Sequence, residues 1–77
     1  MRPMDRATLE QRLRAAKAHV ALGDDHIERQ REVVSALKKD GKDATAAQTL
    51  LNTFRGLQEI HVANMLRLTD ELAKLLK

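Results

Sequence analysis

Apolar residues recur in this chain at alternating intervals of three and four residues, and this spacing constrains the fold more than any other feature. In the first half it runs from Leu9 through Gly23 to Leu37 without losing phase, and in the second half from Ala47 to Leu75. An average interval of about 3.5 residues keeps one stripe of an α-helix against a partner helix. The chain is therefore predicted to be all-α, with two long helices that pack along a coiled-coil-like seam.

The segment KKDGKD, Lys38 to Asp43, separates the two runs. Basic residues in a last helical turn, a glycine after it and an aspartate before the next run are helix stop and start signals. A fold at this point brings the two helices together as an antiparallel hairpin. The prediction is one domain over 1–77, with a helix at about 5–39, a turn at 40–43 and a helix at about 44–76.

Gly23 does not interrupt the first helix in this interpretation, because the apolar spacing continues across it. Folding the chain at Gly41 places Val34 opposite Leu51 and Gly23 opposite His61. A glycine at a helix contact leaves room for a large neighbour, so the imidazole of His61 is predicted to fill the space beside Gly23.

One flank of the predicted hairpin stays apolar after the seam closes. A two-helix hairpin has no further layer to cover such a face, and a chain of 77 residues is near the size at which a single core is marginal. We therefore predict a homodimer in the form of a four-helix bundle. Its predicted interface consists of Leu22, His26, Val33, Leu50, Leu57 and Ile60.

The three histidines, His19, His26 and His61, fall at about the same level of the predicted hairpin. Neutral imidazole is a common ligand of zinc, nickel and copper, and a dimer supplies a second set, so these residues are candidate metal ligands. The alternative is a polar packing layer, in which the histidines hydrogen-bond to neighbours and fix the register of the helices.

Arg29 and Arg31 lie in the alternating segment ERQRE, in a chain of net charge +3. Such a segment is typical of a solvated helix face. The two arginines are also candidate contacts for an acidic protein partner. Together with the lysines of the turn they are candidate contacts for nucleic acid, although no aromatic residue lies beside them for base stacking.

Other functional classes find little support in the sequence. Ser35 has no histidine within a turn, and there is no glycine-rich phosphate loop, so no catalytic site or cofactor is expected. The chain has no cysteine, no apolar run of membrane-spanning length and no secretory signal after its first residues. A cytoplasmic location without membrane contact is the expectation.

Four short patterns carry a resemblance. They are His26-Ile27 with Arg29-Gln30, Asp40-Gly41 with Asp43, Leu50-Leu51 with Thr53-Phe54, and His61 followed by Arg67-Leu68. Over about residues 19–72 the chain resembles short alphaproteobacterial helical-hairpin proteins of no assigned activity. The resemblance implies a free-standing small bacterial protein and no functional residues.

The sequence thus favours a non-enzymatic homodimeric interaction or regulatory module, with a protein partner that the sequence does not identify. A metal-binding bundle and a nucleic-acid-binding hairpin are the alternatives.

Overall fold

The computed structural model describes residues 5–76, which form two α-helices. Helix α1 spans Arg6–Lys39 and helix α2 spans Thr45–Leu75, and the two pack against each other along their lengths. The predicted all-α hairpin is confirmed, with helix ends within about one residue of the predicted ones. Residues 1–4 and 77 of the predicted single domain lie outside the described part.

An aspartate precedes each helix, at the N-cap of α1 and one residue before the N-cap of α2. The carboxylate of Asp5 accepts a hydrogen bond from the backbone N–H of Thr8 at 2.8 Å, as an N-cap residue does. Before α2, Asp43 accepts from both the backbone N–H and the hydroxyl of Thr45, at 2.9 and 2.6 Å. These bonds satisfy donors that the first turn of a helix otherwise leaves without partners.

The turn between the helices depends on Gly41, whose φ of +71° is a conformation that other residues rarely adopt. The N–H of Gly41 donates to the carbonyl of Lys38, and the N–H of Lys42 donates to the carbonyl of Leu37. This pair of bonds is a Schellman motif. It ends α1 and directs the chain back along it.

The core of the hairpin lies towards its two ends. At the open end, Leu9, Leu13, Ala16 and Leu68 form one buried apolar cluster, and Met65 and Leu72 pack partly against it. Near the turn, Val34 and Leu51 are buried. Between these two regions no side chain of α1 from residue 17 to residue 33 is buried, and in α2 only Gln58 is buried from residue 52 to residue 67.

The predicted pairing of Gly23 with His61 is wrong. A β-carbon added at Gly23 would clash with the side-chain amide of Gln58. Gln58 lies about one helical turn before His61 on α2. In an antiparallel helix pair each side chain packs into a gap between side chains of the facing helix. Two residues at the same heptad position therefore do not have to contact each other. Gln58 takes this place because its amide finds two hydrogen-bond acceptors on α1.

Candidate functional site

Gln58 is the one buried polar side chain among the described residues, with 8% of its surface exposed. Its amide nitrogen donates to the backbone carbonyl of Val20 at 2.7 Å and to the carboxylate of Asp24 at 2.9 Å. Two acceptors therefore fix the orientation of the amide. The amide oxygen is left against Gly23, where it accepts no hydrogen bond within the described chain.

This interaction defines the register of the helices. An unpartnered buried carbonyl oxygen costs about 1 to 3 kcal/mol, part of which the two donated bonds offset. The glutamine fits only opposite a residue without a side chain, and Gly23 is the only glycine of α1. A slip of the helices by one turn would bury the amide against larger residues without those acceptors. Gln58 and Gly23 thus specify the alignment more than they stabilise it.

His19 and His61 are brought together across the two helices. Their ring centroids lie 5.6 Å apart, and the ring planes are tilted by 47°. His19 is exposed and His61 is half-buried. Sequence reasoning anticipated that these imidazoles would lie at one level, and the structure places them as neighbours.

His26 has a different neighbour. Its ring packs beside Phe54 at a centroid distance of 5.8 Å. Among residues 5–76 no three side chains of the histidine, cysteine, aspartate or glutamate types lie close enough together to hold a metal ion. One chain therefore offers a pair of imidazoles, and His26 is not grouped with that pair as a third ligand.

A small cleft of about 80 Å³ lies between His26 and His61 and is lined by Gly23, His26, Phe54, Leu57, Gln58 and His61. Organic ligands occupy sites of about 300 to 1,000 Å³. The cleft therefore has room for a few water molecules and none for an organic cofactor.

The predicted dimer interface forms a surface that we term the apolar strip. It consists of Leu22, His26 and Val33 on α1 and Leu50, Leu57 and Ile60 on α2. All six residues are exposed, and Ile60 is exposed to 64% and Leu22 to 56%. The α1 and α2 parts of the strip adjoin at the cleft, where His26 and Leu57 are both lining residues.

Leu66, an exposed apolar residue of α2 outside the apolar strip, was not anticipated. Leu66 is exposed to 58% and borders an open groove with Ile27, Val62 and the aliphatic part of Gln58. It lies about half a turn away from Leu57 around α2, since nine residues rotate by about 900°. The groove is separate from the apolar strip.

Arg29 and Arg31 lie on the exposed surface of α1. Arg29 pairs with Asp25 at 3.1 Å and Arg31 with Glu28 at 3.7 Å, and all four side chains are at least half exposed. Exposed pairs of this kind contribute little stability, and the arginines are free to exchange partners. Their predicted role as contacts for a partner stays a prediction.

The importance of Gln58 and Asp24 escaped sequence reasoning. Gln58 lies in the 3-4 spacing of α2 between Phe54 and His61, and the glycine in the spacing of α1 was the available signal for its partner. Asp24 is an exposed residue next to Gly23, and its carboxylate accepts a hydrogen bond from the Gln58 amide.

Neither helix in the described part of the chain has a stretch long and apolar enough to cross a membrane. No protein family, no curated protein and no solved structure matches the chain. Function is therefore inferred from the geometry of the hairpin itself.

Proposed function

We propose that this hairpin is a non-enzymatic interaction module that forms a homodimer through the apolar strip. The supporting observation is the distribution of apolar residues along the hairpin. In its middle third the contact between α1 and α2 contains Gly23, Gln58 and His61 beside the half-buried Ile27 and Phe54. The exposed apolar side chains of the strip, such as Leu22, Leu57 and Ile60, lie outside that contact. A second copy that covers the strip would bury those side chains and supply the apolar layer that the middle lacks.

The exposed area supports the same conclusion. A compact monomer of 8.7 kDa exposes about 4,700 Å². This chain exposes 5970 Å², which is about 1,200 Å² more. Stable dimers bury about 800 Å² or more per partner. The surplus of the extended hairpin is sufficient for such an interface.

A second copy suits the strip better than an unrelated partner. The strip contains no aspartate, glutamate, lysine or arginine, so two copies meet without repulsion between such side chains. Isologous contact of this kind gives a two-fold dimer, which is the commonest symmetry of soluble homo-oligomers. The charged outer faces, with Arg29 and Arg31, then remain free for a regulatory partner.

The test is sedimentation equilibrium of the wild-type chain and of Leu57→Asp. The substitution places a carboxylate in the centre of the strip, and burying it in both copies costs about 3 kcal/mol or more. We expect the wild type to sediment as a dimer and the dissociation constant of Leu57→Asp to rise at least about a hundredfold.

Leu66→Asp is the matched control. It makes the same chemical change at another exposed leucine of the same helix, 58% exposed against 48% for Leu57, on the face away from the strip. We expect it to dimerise as the wild type does. A monomeric wild type, or equal losses in the two variants, would refute the proposal.

A further inference from the structure

We propose that His19 and His61 form half of a transition-metal site, which a second copy completes with its own His19 and His61. This inference rests on the proposed homodimer and adds a ligand to it. The metal is of the class that imidazole prefers, which is zinc, nickel or copper.

The distance between the two rings fits a shared ion. Two imidazoles that bind one metal at about 2.1 Å from each nitrogen, in tetrahedral geometry, have ring centroids about 5 to 5.5 Å apart. The observed separation is 5.6 Å. The observed centroid separation is therefore compatible with both rings binding the same ion, and the two ligands come from different helices that pack against each other.

The surroundings of the pair leave it accessible. His19 is exposed, and it lies in a groove whose other lining residues include Asn64, Arg12 and Arg67. The guanidinium of Arg67 donates to Asn64 and to Glu71 on its own helix, each at 2.9 Å. These bonds hold the guanidinium against α2. No carboxylate joins the imidazoles within the described chain, since no group of three metal-binding side chains is present there.

One chain therefore supplies two ligands, and a structural zinc site needs four. The second pair must come from another molecule. The apolar strip is centred nearer the turn than the pair is, so two copies that join strip to strip bring their His19 and His61 together when their turns lie at the same end. The inference thus also fixes the direction of the two copies in the metal-bound dimer.

Metal titration of the untagged chain tests the stoichiometry and the ligands. Zinc, nickel and copper salts are added separately after removal of metal with a chelator, and cobalt serves as a spectroscopic probe of four-coordinate nitrogen ligation. We expect one ion per two chains and a higher melting temperature. His19→Ala and His61→Ala should each weaken binding roughly tenfold or more.

Glu59→Ala is the control, because Glu59 is an exposed carboxylate of α2 in the groove with Leu66, outside the apolar strip and away from the pair. It should retain the affinity for metal. Equal losses in the two histidine variants and the control, one ion per single chain, or an unchanged melting temperature with each metal would overturn the inference.

The direction of the hairpins is tested with a single introduced thiol, which is specific because the chain has no cysteine. With metal bound, Lys42→Cys is expected to form a disulfide between the two turns under mild oxidation. The opposite result is no disulfide between the turns but rapid crosslinking between a thiol at position 42 of one copy and a thiol at position 8 of the other. It would show that the turns lie at opposite ends and would overturn the inference.

The two proposals fail separately. A dimer that persists in chelator but binds no metal supports the apolar interface and removes the metal site. If the chain is monomeric in chelator and dimeric with zinc, the apolar interface is not the cause of assembly, and the metal site is supported.

Discussion

At the scale of single residues, the three glycines of the chain have different surroundings. Gly41 adopts a positive φ, Gly23 contacts the amide of Gln58, and Gly56 has no atom within 4 Å of the place where a side chain would begin. The same substitution by alanine therefore tests three different constraints.

Gly56→Ala is expected to raise the free energy of unfolding by about 1 kcal/mol, because alanine is the better helix former and nothing obstructs it. Gly23→Ala gains the same helix propensity but displaces the amide of Gln58. Loss of two hydrogen bonds, each worth about 1 kcal/mol, exceeds that gain, so we expect a net decrease of about 1 kcal/mol. Urea denaturation of both variants measures the difference.

A double-mutant cycle identifies the cause. In a Gln58→Ala background the amide is absent, and Gly23→Ala should then stabilise the chain as Gly56→Ala does. If Gly23→Ala has the same effect with and without Gln58, the contact between them does not set the register.

The contact between Gly23 and Gln58 also shows where sequence reasoning stopped. The spacing of apolar residues predicted that Gly23 lies inside a continuous helix at the seam, which is correct. It did not identify the neighbour, because heptad positions define which stripe faces the partner and leave the choice between adjacent turns to side-chain fit. That choice depended on hydrogen bonds to Val20 and Asp24, which a periodic pattern does not contain.

At the scale of the helices, the ends were predicted more accurately than the pairing. The signals at Asp5, Gly41 and Asp43 are local, since each acts on backbone groups within a few residues. Local chemistry is readable from one sequence. Contacts between α1 and α2 depend on the relative position of two long elements, and an error of one turn changes each partner.

The two aspartates that precede the helices, Asp5 and Asp43, lead us to expect that stability depends on pH. Hydrogen bonds from the backbone N–H and then the hydroxyl of Thr8 lower the pKa of Asp5 below its usual 3.8. The hydroxyl and then the backbone N–H of Thr45 lower the pKa of Asp43 in the same direction. Both carboxylates are thus more acidic in the folded state. Their stabilisation is complete well above 3.8 and is lost as the pH falls below that value.

Thermal melts followed by circular dichroism from pH 2 to pH 7 test this dependence. Asn keeps an acceptor at a cap but has no titrating proton, so Asp5→Asn combined with Asp43→Asn should reduce the loss of melting temperature below about pH 4. An acid-induced loss equal to that of the wild type would show that the caps do not contribute to it.

At the scale of the whole molecule, the hairpin is a rod of 56 × 18 × 16 Å with a radius of gyration of 17.3 Å. A compact chain of this length has a radius of gyration of about 11.5 Å. The long dimension is that of one helix, so the shape follows from the number of residues between the caps. The sequence predicted this shape, whereas assembly depends on a second molecule and stays a prediction.

Small-angle scattering distinguishes the ways in which two rods assemble. If copies join through the apolar strip, the maximum dimension stays near the 56 Å of one hairpin while the mass doubles. The melting temperature should also rise with protein concentration. A maximum dimension near twice that length would indicate contact through the ends and would contradict the strip as the interface.

The apolar cluster at the open end has a consequence for motion. Helical hairpins usually fray from the end away from the turn. Here the turn joins the helices at one end and Leu9, Leu13 and Leu68 hold them at the other. The weakest contact between the helices is then in the middle, around Gln58. We expect the helices to separate locally in the middle while both ends stay in contact, so backbone amide hydrogens near Gln58 should exchange faster than those near the two ends. Binding of a second copy at the strip should slow that exchange.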